Sequence, residues 1–144
     1  MKNNSKHIFI RFLLLPLLLL ASNSFGQRRA AQPVEFKKIS DRLFEISGGQ
    51  GAQGGAYIGD NGVLVIDAKM DKKSVEQVIE KLRKITDKPI RYLVNTHSDG
   101  DHVTGNRYFP ETVTFVAHEN CRQEFFHPTR DGTPSEWSKT ELSP

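Results

Sequence analysis

The chain has 144 residues, 37% hydrophobic and 26% charged, with a single cysteine. That is enough for one domain, and the hydrophobic content excludes an intrinsically disordered chain. The formal net charge of +3 comes entirely from Lys2, Lys6 and Arg11 in the first 26 residues, which hold no acidic residue; the remainder is balanced and gives no reason to expect a nucleic-acid partner.

Residues 1–26 read as a signal peptide. The basic head is followed by the apolar run Phe12–Ala21 and then by small residues, with cleavage expected after Ser24 or Gly26. A run this short suits a signal core better than a membrane span, which needs roughly 20 residues. An uncleaved leader acting as a membrane anchor is the alternative. The expectation is export, to the periplasm or beyond. Export permits disulfides, but Cys121 has no partner in the chain and is expected to be a buried apolar thiol; a Cys121–His118 pair on a helical turn is the other reading.

Residues 27–33 form a flexible lead-in to a domain spanning 34–126. Val34–Ile39 and Arg42–Ser47 alternate apolar and polar residues, as half-buried strands do. Gly48–Gly55 is expected to be a flexible loop, followed by a strand at Ala56–Gly59. Asn61-Gly62 signals a tight hairpin, because both residues tolerate positive φ. Val63–Asp67 is continuously apolar up to its aspartate, the pattern of a strand covered on both faces. A helix over Lys72–Thr86 follows, with Val75, Val78, Ile79, Leu82 and Ile85 on one stripe and Glu80–Lys84 as a supporting pair. Pro89 ends it. Ile90–Asn95 is a second buried strand, so strand, helix, strand implies a crossover in a mixed sheet of the α/β class. Val113–His118 reads as a further strand and Glu119–Phe126 as a short helix. Residues 127–144 read as a loop or tail.

Two motifs fail on context. Gly49-Gln-Gly51-Ala-Gln-Gly54 matches a dinucleotide-binding pattern, yet a strand follows where that mechanism needs a helix N-terminus. Asp99-Gly-Asp101 could open a calcium loop, but Val103, Thr104 and Pro110 occupy the positions that need an oxygen ligand, a glycine and a glutamate.

Thr96–Asn106, T-H-S-D-G-D-H-V-T-G-N, carries the chemistry. It follows a buried strand, and ligand sites in α/β sheets gather beyond the carboxyl ends of strands. His97, Asp99, Asp101 and His102 place four potential metal ligands in six residues. In an extended loop, His97, Asp99 and Asp101 project to one side and can converge. Imidazole with carboxylate suits zinc, iron or manganese, and Gly100 and Gly105 permit a tight backbone.

This run resembles the His-x-His-x-Asp-His motif of the metallo-β-lactamase superfamily, and the upstream Gly-rich loop, hairpin, Val63–Asp67 strand and helix are similar to the N-terminal half of that fold over roughly residues 34–124. The resemblance implies an αββα sandwich, of which this chain would be the first half, completed by a missing C-terminal half. It implies one or two Zn²⁺ ions, with Fe or Mn as alternatives. His97 would bind the first metal, and Asp101 and His102 the second. Asp101 would also be the catalytic residue that orients water, and Asp67 would steady the motif loop from behind. Asp99 stands where the family pattern has histidine, a departure that resembles the iron-binding flavodiiron branch. His118 and His127 are the only later histidines and are expected to be ordinary polar residues.

The expectation is therefore an exported metal-dependent hydrolase acting on a small-molecule ester, thioester or lactam-type substrate, incomplete as this chain. A non-catalytic metal- or partner-binding remnant and a flavodiiron-like iron oxidoreductase are the alternatives.

Overall fold

The computed structural model describes residues 32–126. The expected signal peptide, most of the lead-in, His127 and the tail fall outside those residues. Among the described residues, no helix is long and apolar enough to cross a membrane.

Six strands form one mixed sheet in sequential order: β1 (Glu35–Lys38), β2 (Leu43–Ser47), β3 (Gly54–Ile58), β4 (Val63–Ile66), β5 (Ile90–Asn95) and β6 (Thr114–Ala117). The first four strands pair antiparallel as a meander. β5 and β6 then add in parallel, as they must, because each is reached by a helical crossover rather than a tight turn. α1 (Lys72–Ile85) joins β4 to β5. A short helix α2 (Gly100–Val103) and a 3₁₀ turn (Thr104–Tyr108) lie between β5 and β6, and α3 (Glu119–Glu124) follows β6.

α1 forms where the apolar stripe predicts. The Asp71 carboxylate accepts from the Ser74 amide at 2.7 Å and caps its first turn, satisfying an amide that the helix itself leaves open. Val75, Val78 and Leu82 are buried, whereas Ile85 at the end of the stripe is exposed. Lys84 donates to Glu80 at 2.6 Å. The buried stripe packs with Ile46, Ala56, Val63, Val65 and Leu93 from one face of the sheet, and Val34, Phe109 and Val113 close the cluster. A second small cluster joins Val103, Cys121 and Phe125.

The opposite face follows from the register. Leu43, Tyr57, Leu64, Tyr92 and Thr114 align across five strands, and Glu45, Gly55, Ile66, Val94 and Val116 align beside them. Tyr57, Tyr92 and Val116 are exposed there.

Three local expectations are corrected. Gly54 and Gly55 belong to β3 and not to a loop, pairing with Ile46 and Glu45; a Cβ on Gly54 would sit 2.4 Å from the Ile66 carbonyl oxygen, so only glycine lets the strands approach there. The hairpin forms between β3 and β4, but not as a two-residue turn at Asn61-Gly62. Ile58 pairs with Val63, leaving residues 59–62 as a longer connection in which neither Asn61 nor Gly62 has positive φ. Finally, residues 97–102 are not an extended loop throughout, since the chain turns into α2 at Gly100.

Candidate metal centre

Parallel pairing puts the carboxyl ends of β4 and β5 side by side, so Asp67 and the segment starting at Thr96 emerge together. Asp67 takes φ 58°, the only positive φ at a non-glycine among the described residues. Aspartate tolerates this left-handed backbone better than most residues do, and it turns the carboxylate back across the strand ends. One oxygen accepts from the Thr96 amide at 2.8 Å, and the other accepts from the Thr96 hydroxyl at 2.8 Å and faces His102 Nδ1 at 2.9 Å. Asp67 thus ties β4 to both ends of the segment holding the candidate ligands.

Two further devices hold that segment. Asn95 and Asn106, both buried, exchange reciprocal side-chain amide bonds at 3.2 and 2.7 Å, and the Ala68 amide donates to the His102 carbonyl at 2.8 Å. Gly105 is required where it stands: a Cβ there would fall 2.0 Å from the Lys69 carbonyl oxygen and 2.8 Å from Val75. Gly100 carries no such demand, as its nearest neighbour would lie at 3.4 Å.

The same hydrogen bonds select the histidine tautomers. A carboxylate only accepts, so Asp67 requires the His102 proton on Nδ1 and leaves a lone pair on Nε2. The Thr96 hydroxyl spends its proton on Asp67, so its oxygen accepts from His97 Nδ1 at 2.9 Å, and His97 Nε2 is left as the second lone pair. The two rings lie 3.8 Å apart between centroids at 54°. His97 Nε2 is 3.6 Å from the Asp99 carboxylate, and His102 Nε2 is 3.6 Å from the Asp101 carboxylate.

His97, Asp99, Asp101 and His102 therefore stand as two imidazole–carboxylate pairs. Neutral imidazole and carboxylate are the donors that zinc and related divalent ions take. Among the described residues, however, no three His, Cys, Asp or Glu side chains are gathered tightly enough to form a metal cluster. The two histidine rings are in contact, while each carboxylate stands 3.6 Å from only its own imidazole. Asp99 occupies the N-cap position of α2 without making a side-chain cap bond.

His118 is not in this group. It caps α3, its Nδ1 accepting from the Asn120 amide at 3.2 Å. It lines a shallow cavity of about 340 Å³ with Thr96, His97, Ser98, Cys121 and Glu124. Cys121 is a buried free thiol; burial, then the charges of Asp67 and Glu124, push its pKa above the ordinary value, the reverse of what a nucleophilic cysteine needs.

The sequence profile of the metallo-β-lactamase superfamily matches residues 53–141, a span that contains Asp67 and all four candidate ligands. The chain belongs to the metallo-β-lactamase superfamily. Its fold agrees. The FIM-1 metallo-β-lactamase of Pseudomonas aeruginosa in its mono-zinc form superposes with a TM-score of 0.59 at 21% identity, covering 72% of this chain and 49% of that one. A metallo-β-lactamase from Hirschia baltica gives 0.60 at 18% identity, with 73% and 51% covered, and one from Pontibacter korlensis gives 0.59 at 20%, with 70% and 50% covered. The chain spans about half the length of these solved relatives. It matches none of the curated proteins compared with it.

Within the superfamily frame, the motif at 97–102 is the feature that sequence alone made visible. Thr96, which links Asp67 to His97, was not singled out, although it begins the run. Asn95 reads in sequence only as the end of an apolar strand, and Lys69 stands in no local pattern.

Proposed function

We propose that this chain supplies the N-terminal part of the active site of an exported metal-dependent hydrolase acting on an ester, thioester or lactam-type small molecule. The observation that carries the reading is the Asp67–Thr96 network, which engages Nδ1 of both imidazoles and leaves each Nε2 3.6 Å from a carboxylate. Surface histidines that merely face water have no need of a buried carboxylate behind them.

His97, Asp101 and His102 would hold the ion, with Asp99 as a further carboxylate beside His97. A bound divalent ion supplies acidified water and polarises a carbonyl or phosphoryl oxygen. The protein's own contribution is positional. Asp67 orients His102 and, through Thr96, His97. The half-exposed Asp101 carboxylate beside His102 orients the attacking water. The remaining ligands and the substrate groove come from outside the described residues, as the length of the solved relatives supports. Export rests on the basic, then apolar, then small-residue order of residues 1–26.

Calorimetric titration of the full-length product with Zn²⁺ tests this reading, together with ester and lactam hydrolysis before and after chelation. Saturable binding lost in His102→Ala, with turnover abolished by chelator, is the expected result; no ion bound by folded protein overturns it. A non-catalytic metal- or partner-binding role is the second reading, favoured by the exposed Asp99 and by the donors standing as pairs. It predicts Zn²⁺ binding without turnover. Bound iron with oxygen or nitric oxide reduction would instead identify the flavodiiron-like reading.

A further inference from the structure

The segment 48–53, between β2 and β3, reaches the main chain of the candidate metal centre at Asp101. The Gly49 amide donates to the Gln32 carbonyl at 2.6 Å, the Gln50 amide to Ser74 Oγ at 2.9 Å, and the Met70 amide to the Gln50 carbonyl at 2.9 Å. The Ala52 amide donates to the Asp101 carbonyl at 3.1 Å. Gly51, at φ +102°, has no room for a side chain, since a Cβ would fall 2.7 Å from that same Asp101 carbonyl and 2.8 Å from the Met70 nitrogen. What holds Ala52 from its other side is the Lys69 ammonium, 2.6 Å from the Ala52 carbonyl oxygen.

Lys69 is only 3% exposed. Burial lowers its pKa. A buried ammonium lacking an anionic partner is unfavourable, and a methionine of similar length would fill the same space without that penalty. The charge is placed where it grips one carbonyl.

We propose that Lys69 is a positioning residue that clamps segment 48–53 through the Ala52 carbonyl, so that the Ala52 amide in turn fixes the main chain of Asp101. The segment is then a fixed strap across the motif and not a free loop. The clamp follows from the hydrogen bonds; its effect on metal binding rests on the proposed function above.

Hydrogen exchange and Zn²⁺ titration on the full chain test it, comparing wild type with Lys69→Met and Ala52→Pro. Lys69→Met is expected to speed exchange at residues 49–53 and at the His102 and Val103 amides at least tenfold, with α1 and β5 unchanged. It should also weaken Zn²⁺ binding about tenfold, the lower end for residues that orient ligands. Ala52→Pro, which removes the amide and leaves Lys69 intact, should reproduce the change at 102–103, and it carries the comparison if Lys69→Met does not fold. Lys69→Arg, which keeps a donor, should restore protection. Unchanged exchange at 102–103 in both variants overturns the proposal, as does an acceleration spread evenly through α1 and β5. If wild type binds no Zn²⁺, the metal reading falls, while the exchange comparison still decides the clamp.

Discussion

Asp67 has the heaviest duties of any single side chain, meeting three donors with two oxygens. Asp67→Asn keeps its size and suits the left-handed backbone, but its amide nitrogen cannot accept from His102. The expected result is a 10- to 100-fold loss of Zn²⁺ affinity by calorimetry, in line with other residues that orient metal-binding histidines, with thermal midpoint shifted by only a few degrees. Equal affinity would remove Asp67 from the site. Cys121 makes a contrasting prediction. Its raised pKa means that the native thiol binds its proton more tightly than the unfolded one. Stability from this group is therefore complete below the ordinary cysteine value of 9.0 and declines as pH rises through it toward the folded value. Alkylation by iodoacetamide at neutral pH should be slow in native protein and fast in urea; equal rates would contradict the burial. Residue chemistry was legible in sequence where several ligand types crowd together, as at 97–102. It was not legible at Lys69, whose role depends on a carbonyl 17 positions away and leaves no local pattern.

At the scale of elements, periodicity made α1, β4 and β5 readable, because an apolar stripe or run reports burial directly. It could not reveal α2, whose four residues are too few to show a period, and that is where the chain departs from the expected extended loop. The hairpin was readable from Asn61-Gly62, but its length was not: Asn-Gly permits a two-residue turn and does not compel one. Packing of the 3₁₀ turn against the connection after β4 gives a sharper test. Gly105→Ala would drive a methyl into the Lys69 carbonyl and Val75, both held by surrounding structure. A destabilisation of about 3 kcal/mol is expected, at the upper end of ordinary overpacking, read from urea midpoints; Gly100→Ala, with open space around it, should cost well under half of that. Similar effects of the two would mean that the backbone at 105 yields.

For the molecule as a whole, the two sheet faces differ. One is closed by α1, while the other carries the aligned row Tyr57, Leu64 and Tyr92 beside Ile66, Val94 and Val116. Apolar surface of this kind marks either an interface or an aggregation liability. Replacing Tyr92 and Val116 by lysine should lower the binding of a hydrophobic dye to the 144-residue chain and slow its aggregation, without altering Zn²⁺ affinity. Unchanged dye binding would show the face to be covered. The mixed sheet and crossover were visible from the order of strand and helix signals. The exposure of this second face follows from the half-sandwich that the family resemblance implies; which residues lie on it, Tyr57, Tyr92 and Val116, is set by the register.

The backbone at Asp67 has a consequence for how this position can drift. Glycine would relax its φ of 58° at once, but would leave Thr96 and His102 with nothing to bind. Glutamate keeps the charge while adding a methylene and a poorer fit to the twisted main chain. Conformation and chemistry thus pull toward different replacements, and only the two demands acting together hold aspartate in place.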